Sequence, residues 1–510
     1  ALRGMAWLLM ALATGSFMLA AFLVPPSQQG EDLNGARLTV DGHIASRTGA
    51  HASAGVALIG LVMIPLVLSD VSGQPLKTVL FEAAAWSTAL DQVADARVWL
   101  IVAAFAAVVA VGGYTATSWW SQVALFVGSI LVVMPIALTG HSATGGAHDF
   151  GTNSLIWHLV AMLLWVGGLM ALVAHAYRRG PGLAGAASRY SRIALFAILA
   201  MAVSGVVNAL VRVRLEDLTQ YAYGWVLIIK TAGIIVLGLI GYVHRERTIP
   251  QLGSRPRAFT RLAAGEVVVM AAISGLAVTL GRTPPPPPQD PNLTRMQVQM
   301  GYNLEEPLTW TNWLTHWRPE LLFSVIAVLL AVYYLHLTRR VEGWPVGRTV
   351  WWLLGCATTV ITLSSGLGMH MPASYSAHMT VHMILSMGVP VFLVLGAPLT
   401  LVRAAYPAGE FNPRLWAESF QRSKFLRVAT YSPVSTIQFL VFFYAMYVIE
   451  PFYELMISEH AGHVIMNAVF LLSGYFYFWE LIGADEIAGR PSAKVRLLWL
   501  WVSMPFHLFM

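Results

Sequence analysis

An all-α, polytopic transmembrane helical bundle is the fold this sequence predicts, and three observations predict it. Hydrophobic residues fill 57% of the 510 positions and charged residues only 11%, against roughly 25% charged in soluble globular chains. Apolar runs of about 20 residues, the length that spans a bilayer core of about 30 Å, recur from one end of the chain to the other. Basic residues collect in the short loops between alternate runs, as topology signals do.

Taken in order, the runs give about 14 spans in two modules. Eight lie near 5–24, 52–69, 98–114, 119–139, 153–175, 192–211, 224–243 and 262–280, within a first module over 1–281. The stretch 75–93 is apolar but broken by Lys77, Glu82 and Asp91, so it reads as an interfacial amphipathic segment. Residues 282–318 carry the run Pro284 to Pro288 without apolar periodicity and read as a stiff, Pro-rich outer linker. Six further spans follow in a second module over 319–510, near 320–337, 349–367, 377–402, 432–449, 460–479 and 495–510. No sequence repeat links the halves.

Loop charge sets the orientation. Arg178, Arg179, Arg189 and Arg192 share one loop, Arg245 to Arg261 a second, Arg339, Arg340 and Arg348 a third, and Arg403 to Arg427 a fourth. These loops are expected inside a bacterial plasma membrane, and the intervening cation-poor loops outside. The formal charge of +6 then needs only lipid headgroups and topology, not nucleic acid. By this parity Ala1 lies outside, and the chain stops inside the apolar run Phe506-His507-Leu508-Phe509-Met510, so it reads as cut at both ends.

Under that topology ten of the 15 histidines fall in outer loops or outer helix turns: His141, His148, His158, His316, His370, His378, His382, His460, His463 and His507. In the segment His370-Met371-Pro372 through His382-Met383, His378 and His382 are four apart and share a helix face, with Met379, Met383 and Met387 on the next stripe. Imidazoles beside thioethers suit a soft ion such as Cu(I). A methionine stripe is as readily core packing. His460 and His463 share a second face, continued by Asn467, and His507 approaches the same side. Five imidazoles on three helices at one depth are costly in lipid unless they face a common interior or ligand. The first module has its own set in Thr139-Gly140-His141, His148-Asp149 and His158; the bland reading is a hydrated outer loop and one packed histidine.

Lys230 and Glu266 are intramembrane charges; a structural pair between them is one reading, against which their entering from opposite sides counts. Cys356, the single cysteine, reads as a small core residue and allows neither a disulfide nor a CxxC motif. No phosphate-binding loop and no aspartyl-phosphorylation motif is present, so ATP-driven transport has no visible engine.

At this point the residues resemble two known families fused in one chain. Thr139-Gly140-His141, the run His158 to Leu169, Arg189-Tyr190-Ser191, and Gly224-Trp225 with Lys230 are similar to the copper resistance D (CopD) family, over roughly 50–281. His378-Met379, His382-Met383, Pro390, Leu395-Gly396 with Pro398, His460 with His463, and Pro505-Phe506-His507 resemble the CtaG family of cytochrome c oxidase assembly proteins, over about 319–510. Such fusions are typical of actinobacteria. The resemblance implies copper movement by the first module and copper delivery to an oxidase by the second, without enzymatic activity, with cytochrome c oxidase or a periplasmic copper chaperone as partner. It carries over His141 and His158 in the first module, and His378, His382, His460, His463 and His507 in the second. The chain departs from that family by stopping just past His507, so any later helix of the second module is expected to lie outside this sequence. His148, His370, Met371, Met379 and Met383 join the candidate ligands from chemistry alone.

Two other readings compete. Paired membrane histidines could ligate haem in an electron-transfer protein. Alternatively, His460, His463 and His507 could hold zinc, with Glu459 or Glu450 as the base of an intramembrane hydrolase, although no HExxH occurs.

Overall fold

Hydrophobic length and helix punctuation set where each element begins and stops in the computed structural model. The structure describes all residues except 28–31, 82–85, 87–89, 140–145, 253–255, 282, 285, 288–291, 459 and 508–510; the side chains of 256–260 and 507 also lie outside the description. The chain divides into two compact units, one of residues 1–28 and 35–293, the other of 29–34 and 294–510.

In the first unit the long helices are α1 (Leu2–Leu23), α2 (Val40–Ser72), α3 (Ala94–Thr115), α4 (Trp119–Leu138), α5 (His148–Tyr177), α6 (Leu183–Arg212), α7 (Ala222–Thr248) and α8 (Pro256–Leu280). Side chains that accept from orphan backbone N–H groups start two of them: Thr39 caps α2 and Ser118 caps α4. Gly73, with φ of 67°, ends α2 in the left-handed conformation that glycine adopts without strain. The centre is α1, which packs on α2, α4 and α5. A π turn at Leu163–Gly167 interrupts α5 where α1 crosses it, and a Cβ on Gly15 would overlap the Gly167 carbonyl there. By contrast α7 buries little, and Ile229, Ile235 and Leu239 are exposed, as lipid-facing positions are.

The second unit begins with two short helices inside the segment expected as linker. Arg295–Met300 and Trp310–Thr315 each open with a capping box, made by Thr294 with Gln297 and by Thr309 with Asn312. The long elements are α9 (Phe323–Thr338), α10 (Val346–Ser364), α11 (Tyr375–Ala405), α12 (Ser432–Val448), α13 (Glu450–Ile457), α14 (His460–Ile482) and α15 (Ala493–His507). The core runs between α10, α11 and α14, and Cys356 is buried within it beside Trp352 and Leu393. A π turn at Ile384–Gly388 interrupts α11, and a Cβ on Gly474 of α14 would overlap the Ser386 carbonyl. Past α14, the buried Asp485 accepts from the backbone N–H groups of Leu399 and Thr400 and from the Thr400 hydroxyl, capping the last helical stretch of α11. Burial pushes its carboxyl above the ordinary range, and those donors oppose the shift.

The expected count of fourteen spans is not reproduced. All fourteen candidate segments are helical, but among the described residues 11 helices are long and apolar enough to cross a membrane, or up to 12 if one bent pair is a single span. Three segments account for the difference. At 16 residues α9 is short, α15 is described over 15, and the run 432–457 breaks by 82° between α12 and α13. Of the expected interfacial segment, Leu76–Phe81 is a short helix without buried residues, and much of the rest lies outside the described residues.

Candidate metal centre

The spacing of four between His378 and His382 puts their rings 4.4 Å apart on one face of α11, the first 3% exposed and the second fully buried. His463 comes from α14, and its ring centre lies 5.4 Å from that of His378. The three rings therefore converge from two helices, immediately ahead of the π turn in α11. Such turns recur at functional sites because one inserted residue re-aims the side chains around it.

His382 is tied on both nitrogens. The Tyr447 hydroxyl lies 2.6 Å from Nδ1, and the Asn467 side-chain oxygen 3.1 Å from Nε2. An amide oxygen only accepts, so Nε2 carries the proton and Nδ1 accepts from the tyrosine. The ring is thereby fixed between α11, α12 and α14. His378 differs. Its buried Nε2 has no hydrogen-bond partner among the described residues.

Tyrosines wall the histidines. Tyr447 and Tyr453 stand 5.8 and 6.0 Å from His378, centre to centre, and Tyr375 lies 6.2 Å from Tyr447. Tyr453 reaches this position through the bend before α13, where Pro451 sits in the first turn. Sequence reasoning missed these three residues. The available signal was that Tyr447 and Tyr453 flank a proline in an apolar run, where a phenol hydroxyl has to find a partner.

Met379 and Met383 are half-buried and pack against Phe443, Met446, Met456, Met466 and Phe470, and Tyr447 joins the same layer. Phe470 also lies 4.5 Å from the His382 ring, so a methionine-rich layer adjoins the histidines. Its other three methionines were not singled out from the sequence, because they sit on helices whose apposition no spacing reveals.

The remaining candidates are placed as follows. His460 is half-buried one turn before His463. His370 has Nδ1 2.7 Å from the Gly366 carbonyl and Nε2 2.9 Å from that of Glu306, so backbone oxygens engage both its nitrogens. The Met371 side chain packs in the apolar core with Leu367 and Leu385. In the first unit, His148 is buried at the head of α5, and His158 Nδ1 lies 3.2 Å from the Ser204 hydroxyl. His141, Glu459 and the His507 side chain lie outside the described residues. Among the described residues no three of His, Cys, Asp and Glu are disposed to hold a metal by themselves. Glu266 faces His244 at 3.2 Å rather than Lys230, because the two charges enter the bundle from opposite ends.

The competing sites fare less well on this geometry. His378, His382, His463, Tyr447 and Phe470 pack ring to ring at 4.4 to 6.0 Å, leaving no slot for a macrocycle between the histidines. Glu450, one of the two carboxylates considered as a hydrolytic base, is exposed at the head of α13.

Two units of long apolar helices, the second with a buried histidine and tyrosine cluster, define a multi-pass helical membrane protein. Three family models match the chain: copper resistance protein D-like, N-terminal domain, over 1–150; copper resistance protein D over 184–280; and cytochrome c oxidase caa3 assembly factor over 328–510. The chain is a fusion of a copper resistance D-type region and a CtaG-type region. An uncharacterized protein of Mycobacterium bovis is 30% identical over 430 residues, 81% of this chain, and the chain spans 62% of that relative's length. An uncharacterized protein of Mycobacterium leprae is 27% identical over 98% of this chain and 74% of its own length. The copper transport protein CutJ of Bacillus subtilis is 26% identical over 258 residues, 48% of this chain and 46% of that protein. No solved structure matches.

Proposed function

We propose that this protein handles copper at the membrane, binding Cu(I) between α11 and α14 and passing it on for cytochrome c oxidase assembly. The observation that carries the reading is the approach of His378 and His463 from separate helices, with His378 Nε2 buried and unpartnered. An ion about 2 Å from one nitrogen of each ring bridges rings at that separation. Copper would take the lone pair of the buried His378 Nε2, with the ring proton on Nδ1.

Cu(I) suits the surroundings. It is soft, it accepts few ligands, and a methionine-rich layer with aromatic walls excludes harder ions that demand carboxylates and water. His382, held by Tyr447 and Asn467, orients the pair from the next turn, and His460, one turn before His463, is proposed as an accessory ligand. The family matches support both copper and an oxidase as the destination. Loop charge orients the centre toward the extracytoplasmic side of a bacterial plasma membrane, where a periplasmic chaperone or the oxidase would meet it. In the first unit we propose His141, His148 and His158 as candidate copper ligands on the strength of the family resemblance and their chemistry alone.

Copper analysis of the purified full chain, loaded under reducing conditions and then challenged with a Cu(I) chelator, tests this. We expect His378→Ala with His463→Ala to lower the bound stoichiometry by one copper per chain. Unchanged retention in a folded double variant overturns the site.

A further inference from the structure

Each of the four helices around the histidines brings methionine to one layer: Met379 and Met383 from α11, Met446 from α12, Met456 from α13 and Met466 from α14. Met446, Met456 and Met466 are buried, and Met379 and Met383 pack half-buried against them. Helix period places them. Met466 is three residues past His463, so it lies one turn on along the same face of α14, about 4.5 Å further at 1.5 Å per residue. Met379 and Met383 each follow a histidine directly, and Met446 precedes Tyr447. The layer therefore adjoins the imidazoles, and Phe470, one of its members, lies 4.5 Å from the His382 ring.

Packing alone does not ask for this composition. Leucine, isoleucine and phenylalanine fill an apolar layer with better-defined rotamers. Three other core clusters of the same unit show as much. Their members include only Met371 and Met387 as methionines, amid leucines, valines and aromatic rings. All four clusters belong to one bundle, so burial accounts for methionine equally in each. Only the cluster beside the histidines gathers thioethers from every helix that walls it.

A thioether is a neutral, soft donor on a side chain with three rotatable bonds, so sulfurs from four helices can turn toward a shared point. Soft sulfur ligands select Cu(I), whereas zinc and harder cations call for thiolate, imidazole or carboxylate. The layer's members carry no formal charge, so a monovalent ion is the least costly guest for them. Tyr447 supplies the one hydroxyl among these members, and it is already turned to His382 Nδ1 at 2.6 Å. Sulfur has no oxygen competitor within the layer.

We infer that the methionine layer holds a second Cu(I), bound by thioether sulfurs alone, beside the ion between His378 and His463. The inference takes the identity of the metal from the copper reading of that centre, but it rests on a separate set of donors. Adjacent nitrogen and sulfur positions let an ion pass from one to the other by ligand exchange, without a change of oxidation state.

The test titrates the purified full chain with Cu(I) without oxygen, against a chelator, and reads the neighbours of the bound metal by X-ray absorption at the copper edge. The native chain is expected to hold two ions in the second unit, one with nitrogen neighbours and one with sulfur. Met379→Leu, Met383→Leu, Met446→Leu, Met456→Leu and Met466→Leu together nearly conserve volume, and should remove one ion per chain along with the sulfur signal. His378→Ala with His463→Ala should instead remove the nitrogen-bound ion and keep the sulfur-bound one. Native copper without sulfur neighbours, one ion with mixed neighbours, or a five-fold leucine variant that keeps full stoichiometry overturns the inference and leaves the histidine site standing. A native chain that binds no copper overturns both. Should the five-fold variant fail to fold, Met379→Leu with Met383→Leu decides: the sulfur-bound ion should be held at least tenfold more weakly, and unchanged affinity rules the site out.

Discussion

Each unit places histidines on a helix just ahead of a π turn, and each packs that turn against a glycine of a neighbouring helix. In the first, α5 carries His158 before the turn at Leu163–Gly167, and Gly15 of α1 closes on it. In the second, α11 carries His378 and His382 before Ile384–Gly388, and Gly474 of α14 closes on it. The surroundings then diverge. His158 meets a serine hydroxyl and an open apolar cavity, whereas His378 meets a second imidazole, a wall of tyrosines and a layer of methionines. The same backbone device therefore serves two chemistries, set by what the opposing helices supply.

The largest expected effect comes from the shared device. Gly474→Leu has to push α14 off the Ser386 carbonyl, and Gly15→Leu has to push α1 off Gly167; overpacking of this kind costs ~3 kcal/mol or more. Thermal unfolding in detergent should show a large loss for both, and a variant of either that melts like the native chain breaks the comparison. Copper retention separates the units next. Tyr447→Phe removes the donor to His382 Nδ1 and loosens the ring that orients His378 and His463, so Cu(I) affinity is expected to fall by about tenfold, the lower end of what losing an outer-shell partner costs. Ser204→Ala, which removes the hydroxyl beside His158, should leave Cu(I) binding between α11 and α14 unchanged. Competition against a Cu(I) chelator reads both, and a Tyr447→Phe protein with native affinity would reduce the tyrosine to packing.

The smallest effect concerns Asp485. Its folded carboxyl is raised by burial, so the folded chain holds this proton more tightly than the unfolded one. Stability from this group is full below about pH 4, the unfolded value, and is lost as pH rises through the folded value. Asp485→Asn should flatten that slope in a melting series across pH; an unaltered slope would show that another group sets it.

Much of the fold was legible. Among the described residues, runs of apolar residues gave each of the 11 helices long and apolar enough to cross a membrane, because lipid forces the backbone to satisfy itself and hydropathy records where. The bend at Pro451 and the shortness of α9 were not, since a run of 20 apolar letters reads the same whether the helix is straight, broken or truncated. His378 and His382 were legible as a pair, because four residues return to one helix face. Their meeting with His463 was expected from shared depth, because imidazoles at one level in lipid need a common interior; the closing ring of Tyr375, Tyr447 and Tyr453 was not, because contacts between helices leave no spacing behind.

By itself the sequence determined that this chain is built of long apolar helices and that histidines and methionines crowd particular helix faces. Those are consequences of composition and of a fixed period of 3.6 residues. Only the tertiary structure decided which imidazole keeps a free nitrogen, that Glu266 answers His244 instead of Lys230, and that methionines from four helices form one layer. Burial and partnership depend on helices distant in the chain, and the energy of a polar group in a membrane is set by whichever neighbour happens to reach it.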